Sequence, residues 1–95
     1  MVSMNTNILS FVLRAKNRIK LLNVLQDGQK VSAQIEKQTG MYKSHISRTL
    51  RELTEKKLIR CVNSKDRNFR FYELTSEGKK VILQVDKILK DIEKQ

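Results

Sequence analysis

A chain of 95 residues is long enough for one domain with a modest core and too short for two. Its 20 lysines and arginines against 10 aspartates and glutamates give a formal charge of +10, which favours a polyanionic partner, although solubility alone would also account for it. No apolar run approaches the ~18 residues of a spanning helix, no signal-peptide pattern opens the chain, and the most basic segments are not long amphipathic helices. A cytoplasmic protein without a membrane partner is therefore expected.

Cys61 is the only cysteine and His45 the only histidine, so an intramolecular disulfide is excluded and no group has metal-ligand spacing. Neither a metal nor another cofactor is expected. Without a glycine-rich phosphate loop or a carboxylate cluster, the chain is not expected to be an enzyme.

The first predicted element is a short helix, TNILSFVL over residues 6–13, carrying Ile8, Leu9, Phe11, Val12 and Leu13. A second helix is predicted from Ala15 to Gln26 with Ile19, Leu22 and Leu25 inward, ended by Gly28 as a left-handed cap. Val31 should enter an extended segment, and Ser32 is placed to cap AQIEKQT, which buries Ile35 and ends at Gly40. A further helix to about Lys57 then follows through Thr39, Gly40 and Met41. That pair is a helix-turn-helix, with a plain helical hairpin as the bland alternative.

In this later helix Ile46, Leu50 and Leu53 share one face. Ser44, Ser47, Arg48 and Arg51 fall on another, with Lys43 at its edge and His45 flanking it, either as a contact or as an exposed spectator. Such a helix can rest on a core and still offer a cationic face to a groove. A basic hairpin follows at once: LIRCV (58–62) and RFYEL (70–74) are strand-like, and Asn63, Ser64, Asp66 and Asn68 carry turn chemistry between them. Lys65, Arg67 and Arg70 sit at or beside its tip, as a phosphate-contacting or minor-groove-probing wing needs. Cys61 reads as a small buried strand residue.

Phe69 and Phe71 share one face of the second strand, opposite Tyr72 and Leu74. Only one pair can meet the domain's own core; the other packs across the wing or against a partner subunit. Packing is favoured over base stacking, because duplex DNA keeps its bases stacked.

Thr75 is placed to cap a last helix, with Glu77 in its first turn where the dipole favours an anion. The helix carries Val81, Ile82, Leu83, Val85, Ile88, Leu89 and Ile92, of which Ile82, Val85, Leu89 and Ile92 form a packing seam. The charge excess all precedes it: residues 1–72 hold 15 basic and 5 acidic side chains, residues 73–95 five of each.

Residues 19–78 resemble the winged helix-turn-helix regulators, specifically the small MarR-like type of archaea and bacteria. The family pattern is a recognition helix, then Leu-[Ile/Val], a hairpin with Asp-x-Arg, and Leu-Thr-x-x-Gly. Leu58-Ile59 and Leu74-Thr75-Ser76-Glu77-Gly78 match it, and Asp66-Arg67-Asn68 matches in part. The resemblance implies that residues 43–57 form the recognition helix and residues 63–70 the wing.

Three departures stand out. The wing arginine of the family is Asn68 here, so minor-groove insertion falls to Arg67 or Arg70 or is absent. The usual Ser or Asp cap of the recognition helix is Tyr42, which suits a phosphate contact instead. The chain is also shorter than typical MarR proteins.

The fold expected is thus mainly α with a small β-hairpin: a single winged helix-turn-helix domain over residues 1–95, with dimerisation helices at about 5–14 and 76–94. Its expected function is sequence-specific double-stranded DNA binding as a homodimeric transcriptional regulator. The DNA-binding residues would be Tyr42, Lys43, Ser44, His45, Ser47, Arg48, Arg51, Lys65, Arg67, Asn68 and Arg70. The dimer interface would use Ile8, Phe11, Val12, Ile82, Val85, Leu89 and Ile92. The alternative is a winged-helix protein adaptor or an RNA-binding component of transcription machinery, and the sequence names no small-molecule effector.

Overall fold

Apolar spacing decides which helix faces turn inward, and in the computed structural model, which describes residues 6–93, five helices and one hairpin share a core. The order is α1 (Thr6–Leu13), α2 (Lys16–Val24), α3 (Ser32–Thr39), α4 (Lys43–Glu55), β1 (Ile59–Cys61), β2 (Tyr72–Leu74) and α5 (Ser76–Glu93). α2 is the hub, packed on α1, α3, α4 and α5. Leu21, Leu22, Ile35, Ile46, Leu53, Leu58 and Ile59 are buried there with Val81, Ile82 and Val85.

The expected second helix tightens at its end: Leu25–Asp27 form a 3-10 turn. Gly28 closes it at φ 127° and ψ −167°, a conformation reserved for glycine but not the left-handed helical cap expected from sequence. Ser32 likewise does not cap α3. It is the first helical residue, and the capping position falls to Val31, whose N–H donates to Gln34 Oε1 at 2.9 Å. Gln34 thus supplies the reaching-back half of a capping box, while its own N–H, which an apolar cap side chain cannot accept, bonds to Val31 O at 3.0 Å.

Between α3 and α4 the turn is built as expected. Gly40 is left-handed (φ 74°, ψ 8°) and its N–H reaches Glu36 O at 2.9 Å. Thr39 Oγ1 accepts the N–H of Met41 at 3.1 Å, which drops Met41 into the core. α4 ends with Lys57 at φ 62° and Leu58 N–H bonded back to Leu53 O at 3.0 Å, a Schellman ending on a non-glycine residue.

The strands are shorter than the apolar runs suggested, three residues each, in antiparallel register Ile59 with Leu74, Arg60 with Glu73 and Cys61 with Tyr72. Lys30 adds a single bridge on the far edge, exchanging backbone bonds with Tyr72 at 3.0 and 2.9 Å. Across the hairpin Arg60 holds Glu73 at 2.6 Å, and that bond, with a second from Gln29, keeps the Glu73 carboxyl below its ordinary range. Cys61 is half-buried rather than buried, its Sγ 3.9 Å from Asn63 Oδ1.

The Leu-Thr-x-x-Gly segment joins hairpin to helix. Thr75 Oγ1 accepts the N–H of Gly78 at 3.0 Å, as expected of a cap, and donates to Lys57 O at 2.7 Å. Thr75 N–H also donates to Leu58 O at 3.0 Å. Gly78 is buried against that same backbone, with no room for a side chain.

Candidate nucleic-acid interface

The recognition helix is held by its inward face. Ile46, Thr49, Leu50 and Leu53 are buried, so Ser44, Ser47, Arg48 and Arg51 are forced outward, and Lys43 with them. Tyr42 opens the helix with no side-chain cap, is 74% exposed, and sets its ring edge-on to half-buried His45 at 5.7 Å.

A polar frame shapes the wing. Asp66 Oδ1 accepts the N–H groups of Asn68 (2.8 Å) and Phe69 (3.0 Å). Asn63 Oδ1 accepts from Phe71 N–H at 2.8 Å, while its Nδ2 donates to Phe69 O at 2.6 Å. Arg70 Nε donates to Asp66 O at 2.9 Å, which turns that guanidinium back along the loop. Asn68 therefore takes part in the Asp66 turn through its backbone, leaving Lys65 and Arg67 exposed.

The Phe69 and Asn68 N–H bonds hold the Asp66 carboxyl below its ordinary range, Arg70 adding to this. Because the folded value is the lower one, this ordering is intact above the ordinary aspartate value and is lost as pH falls through the lowered one. Acidification below about pH 4 is expected to lower the protection of the Asn68 and Phe69 amides, measured against their intrinsic exchange rates at the same pH, before the core opens. Hydrogen exchange read by NMR checks this; unchanged protection of both amides at low pH would refute it.

Both halves of the sequence-derived set meet in one cleft of about 440 Å³. Lys43 and Ser47 line it from α4, Arg67, Asn68 and Arg70 from the wing. Three cations face it against a single carboxylate, Glu36. Tyr42, Ser44, His45, Arg48, Arg51 and Lys65 lie outside the cleft, on the helix and wing that form its walls. Among the described residues, Lys43, Arg48, Arg51, Lys65, Arg67 and Arg70 have no carboxylate within 4 Å. Two acids close to them in sequence are engaged elsewhere: Glu52 pairs with Arg18 at 3.1 Å, and Glu73 with Arg60. Sequence reasoning missed Ser32 and Ala33, which reach the cleft from the start of α3, and Phe69, which lines it beside Arg70.

The terminal helices give a mixed result. Val12, Ile82 and Val85, expected at a dimer interface, are completely or almost completely buried in the chain's own core and have no surface left for a partner. α1 and α5 pack on each other and on α2, which uses up those faces. Ile8, Phe11 and Leu89 are half-buried, and Ile92 is 61% exposed. Phe11 is also covered by Arg18, whose guanidinium lies 3.7 Å over its ring and donates to its carbonyl at 2.5 Å. Residues 5 and 94 of the expected helices lie outside the described residues.

The family model for the HVO_A0261 N-terminal domain matches residues 6–95. The chain belongs to this family. No curated protein matches it. Its fold is that of the transcriptional regulator BldR from Sulfolobus solfataricus (TM-score 0.76, 22% identity, covering 90% of this chain and 63% of BldR). It is similarly close to the transcriptional repressor BigR from Xylella fastidiosa (TM-score 0.72, 25% identity, 95% and 88%). A mutant of S. aureus MepR bound to an oligodeoxyribonucleotide also matches (TM-score 0.73, 23% identity, 94% and 70%). The winged-helix, MarR-like fold expected from the sequence is therefore the fold of the chain. The chain spans less than two thirds of the length of BldR.

No helix among the described residues is long and apolar enough to cross a membrane.

Proposed function

We propose that this chain is a sequence-specific double-stranded DNA-binding transcriptional regulator. The observation that carries the reading is the set of exposed cations without carboxylate partners on α4 and the wing, gathered around one cleft. α4 enters the major groove, where Ser44, Ser47, Arg48 and Arg51 reach base edges. Lys43, Tyr42 and the wing residues Lys65, Arg67 and Arg70 hold phosphates on either side of the cleft, with His45 and Asn68 beside them. The similarity in fold to a MepR mutant bound to an oligodeoxyribonucleotide supports the reading.

The regulator acts as a homodimer in this proposal. Ile92 is exposed, and Ile8, Leu9 and Leu89 are half-buried, on α1 and α5, which pack on each other. A second copy covering these residues would place two recognition helices on half-sites about one helical turn apart.

Fluorescence anisotropy against a random-sequence duplex across a salt series, with single-stranded DNA and RNA of equal length, tests the class. The expected result is preference for duplex with a slope near −0.9 per phosphate neutralised. Preference for RNA, or no duplex binding at low salt, would refute it. Light scattering should give twice 11.1 kDa at micromolar concentration, and a monomer would remove the dimer.

A further inference from the structure

Phe69 is out of place for a residue with only a packing role. Tyr72 and Leu74 occupy the core side of the second strand, while Phe69 is 65% exposed and takes no part in the core. A ring left largely in water forgoes the stabilisation that burial gives, so its position asks for a partner.

The wing frame fixes where that partner must be. Phe69 is bonded at both ends of its backbone unit: N–H to Asp66 Oδ1 at 3.0 Å, carbonyl from Asn63 Nδ2 at 2.6 Å. These bonds fix the backbone at this position, so the ring moves only by rotation about its own side-chain bonds. The residue also lines the same cleft as Lys43 and Ser47, so the ring is presented between the recognition helix and the wing.

Charge selects the partner. Lys65, Arg67 and Arg70 flank the ring within the loop, and a second copy of so basic a wing would be repelled. A duplex offers the complement: phosphates for the cations, and a minor groove whose deoxyribose walls and base edges accept apolar side chains. Accordingly, we infer that Phe69 is a DNA-contacting residue, an apolar wedge in the minor groove standing beside the position where the MarR-like pattern has an arginine and this chain has Asn68. The inference rests on the DNA-binding reading above and deepens it.

The test compares wild type, F69A, F69L and R67A by anisotropy on one duplex across a salt series, with melting temperature and light-scattering mass for each. F69A should bind roughly 10-fold more weakly, the order of one lost aromatic contact, with the salt slope of wild type because no charge is removed. F69L should recover most of the loss, and R67A should flatten the slope by about 0.9. Melting temperatures of both Phe69 variants should match wild type. Wild-type affinity in F69A would overturn the inference while leaving DNA binding intact. An altered scattering mass in F69A would assign the ring to a subunit contact and overturn it too, and absence of duplex binding by wild type would remove both readings together.

Discussion

Replacing Gly78 with alanine is expected to cost about 3 kcal/mol of stability, the upper part of the range for overpacking. A Cβ at this position would lie 2.0 Å from Leu58 O and 3.0 Å from Leu58 C, both backbone atoms that no rotamer change can move. Either α5 retreats from β1 or the strand shifts, and each route strains the bond from Thr75 N–H to the same Leu58 oxygen. Retreat of α5 would also loosen Val81, Ile82 and Val85 from the core. For a domain of this size the loss should appear as a fall in Tm of more than about 10 °C.

Gly40→Ala provides the contrast. There the added Cβ meets nothing within 4 Å, and the cost is only the left-handed backbone at φ 74°, about 1 kcal/mol. Asparagine should ease the strain at 40, since it tolerates that conformation, and fail at 78, where space is lacking. Thermal or urea unfolding of the four variants separates the two mechanisms. Equal, small shifts for both alanine variants would refute the close approach of α5 to Leu58.

Gly78 also shows what kind of information the sequence carried. Leu-Thr-x-x-Gly was readable as a family mark, but its physical content emerged only when Thr75 and Gly78 were seen to share the Leu58 carbonyl. Local signals were legible where one residue type suits one conformation: Gly40 at a left-handed turn, Thr75 at a helix start. They failed where the helix starts at the residue expected to precede it, as α3 does at Ser32, which leaves Val31 at the capping position. Periodicity identified the apolar face of α5 correctly but was silent on what covers it. Ile82 and Val85 therefore read as a dimer seam although α5 turns them onto its own core. The basic face of α4 was legible for the converse reason, since burying Ile46, Leu50 and Leu53 leaves the cations only one way to point. The wing was harder, because its shape depends on Asn63 and Asp66 bonding across a loop, and no pattern of spacing encodes those bonds.

Arg48→Ala should produce the largest loss of specificity among single changes on the proposed DNA face. Arg48 is exposed and has no carboxylate within 4 Å, one turn after Ser44 and one turn before Arg51, away from the buried residues of α4. Removing it should therefore leave folding within about 0.5 kcal/mol of wild type. If its guanidinium spans O6 and N7 of a guanine, the loss on a selected cognate duplex is about 1 to 3 kcal/mol, roughly 5- to 150-fold, and discrimination at that base pair collapses. Arg48→Lys sharpens the test. Lysine keeps the charge, and so the salt slope, but lacks the planar fork, so specificity should fall nearly as far as with alanine. Lys43→Ala and Lys65→Ala serve as phosphate-type references, where binding should weaken by a similar factor on every sequence and the slope should flatten by about 0.9. Anisotropy on the cognate duplex and on one with the guanine replaced gives all of these values. An equal loss on both duplexes for Arg48→Ala, with full recovery by lysine, would assign Arg48 to the backbone and leave Ser44, Ser47 and Arg51 as the remaining base-reading candidates on α4.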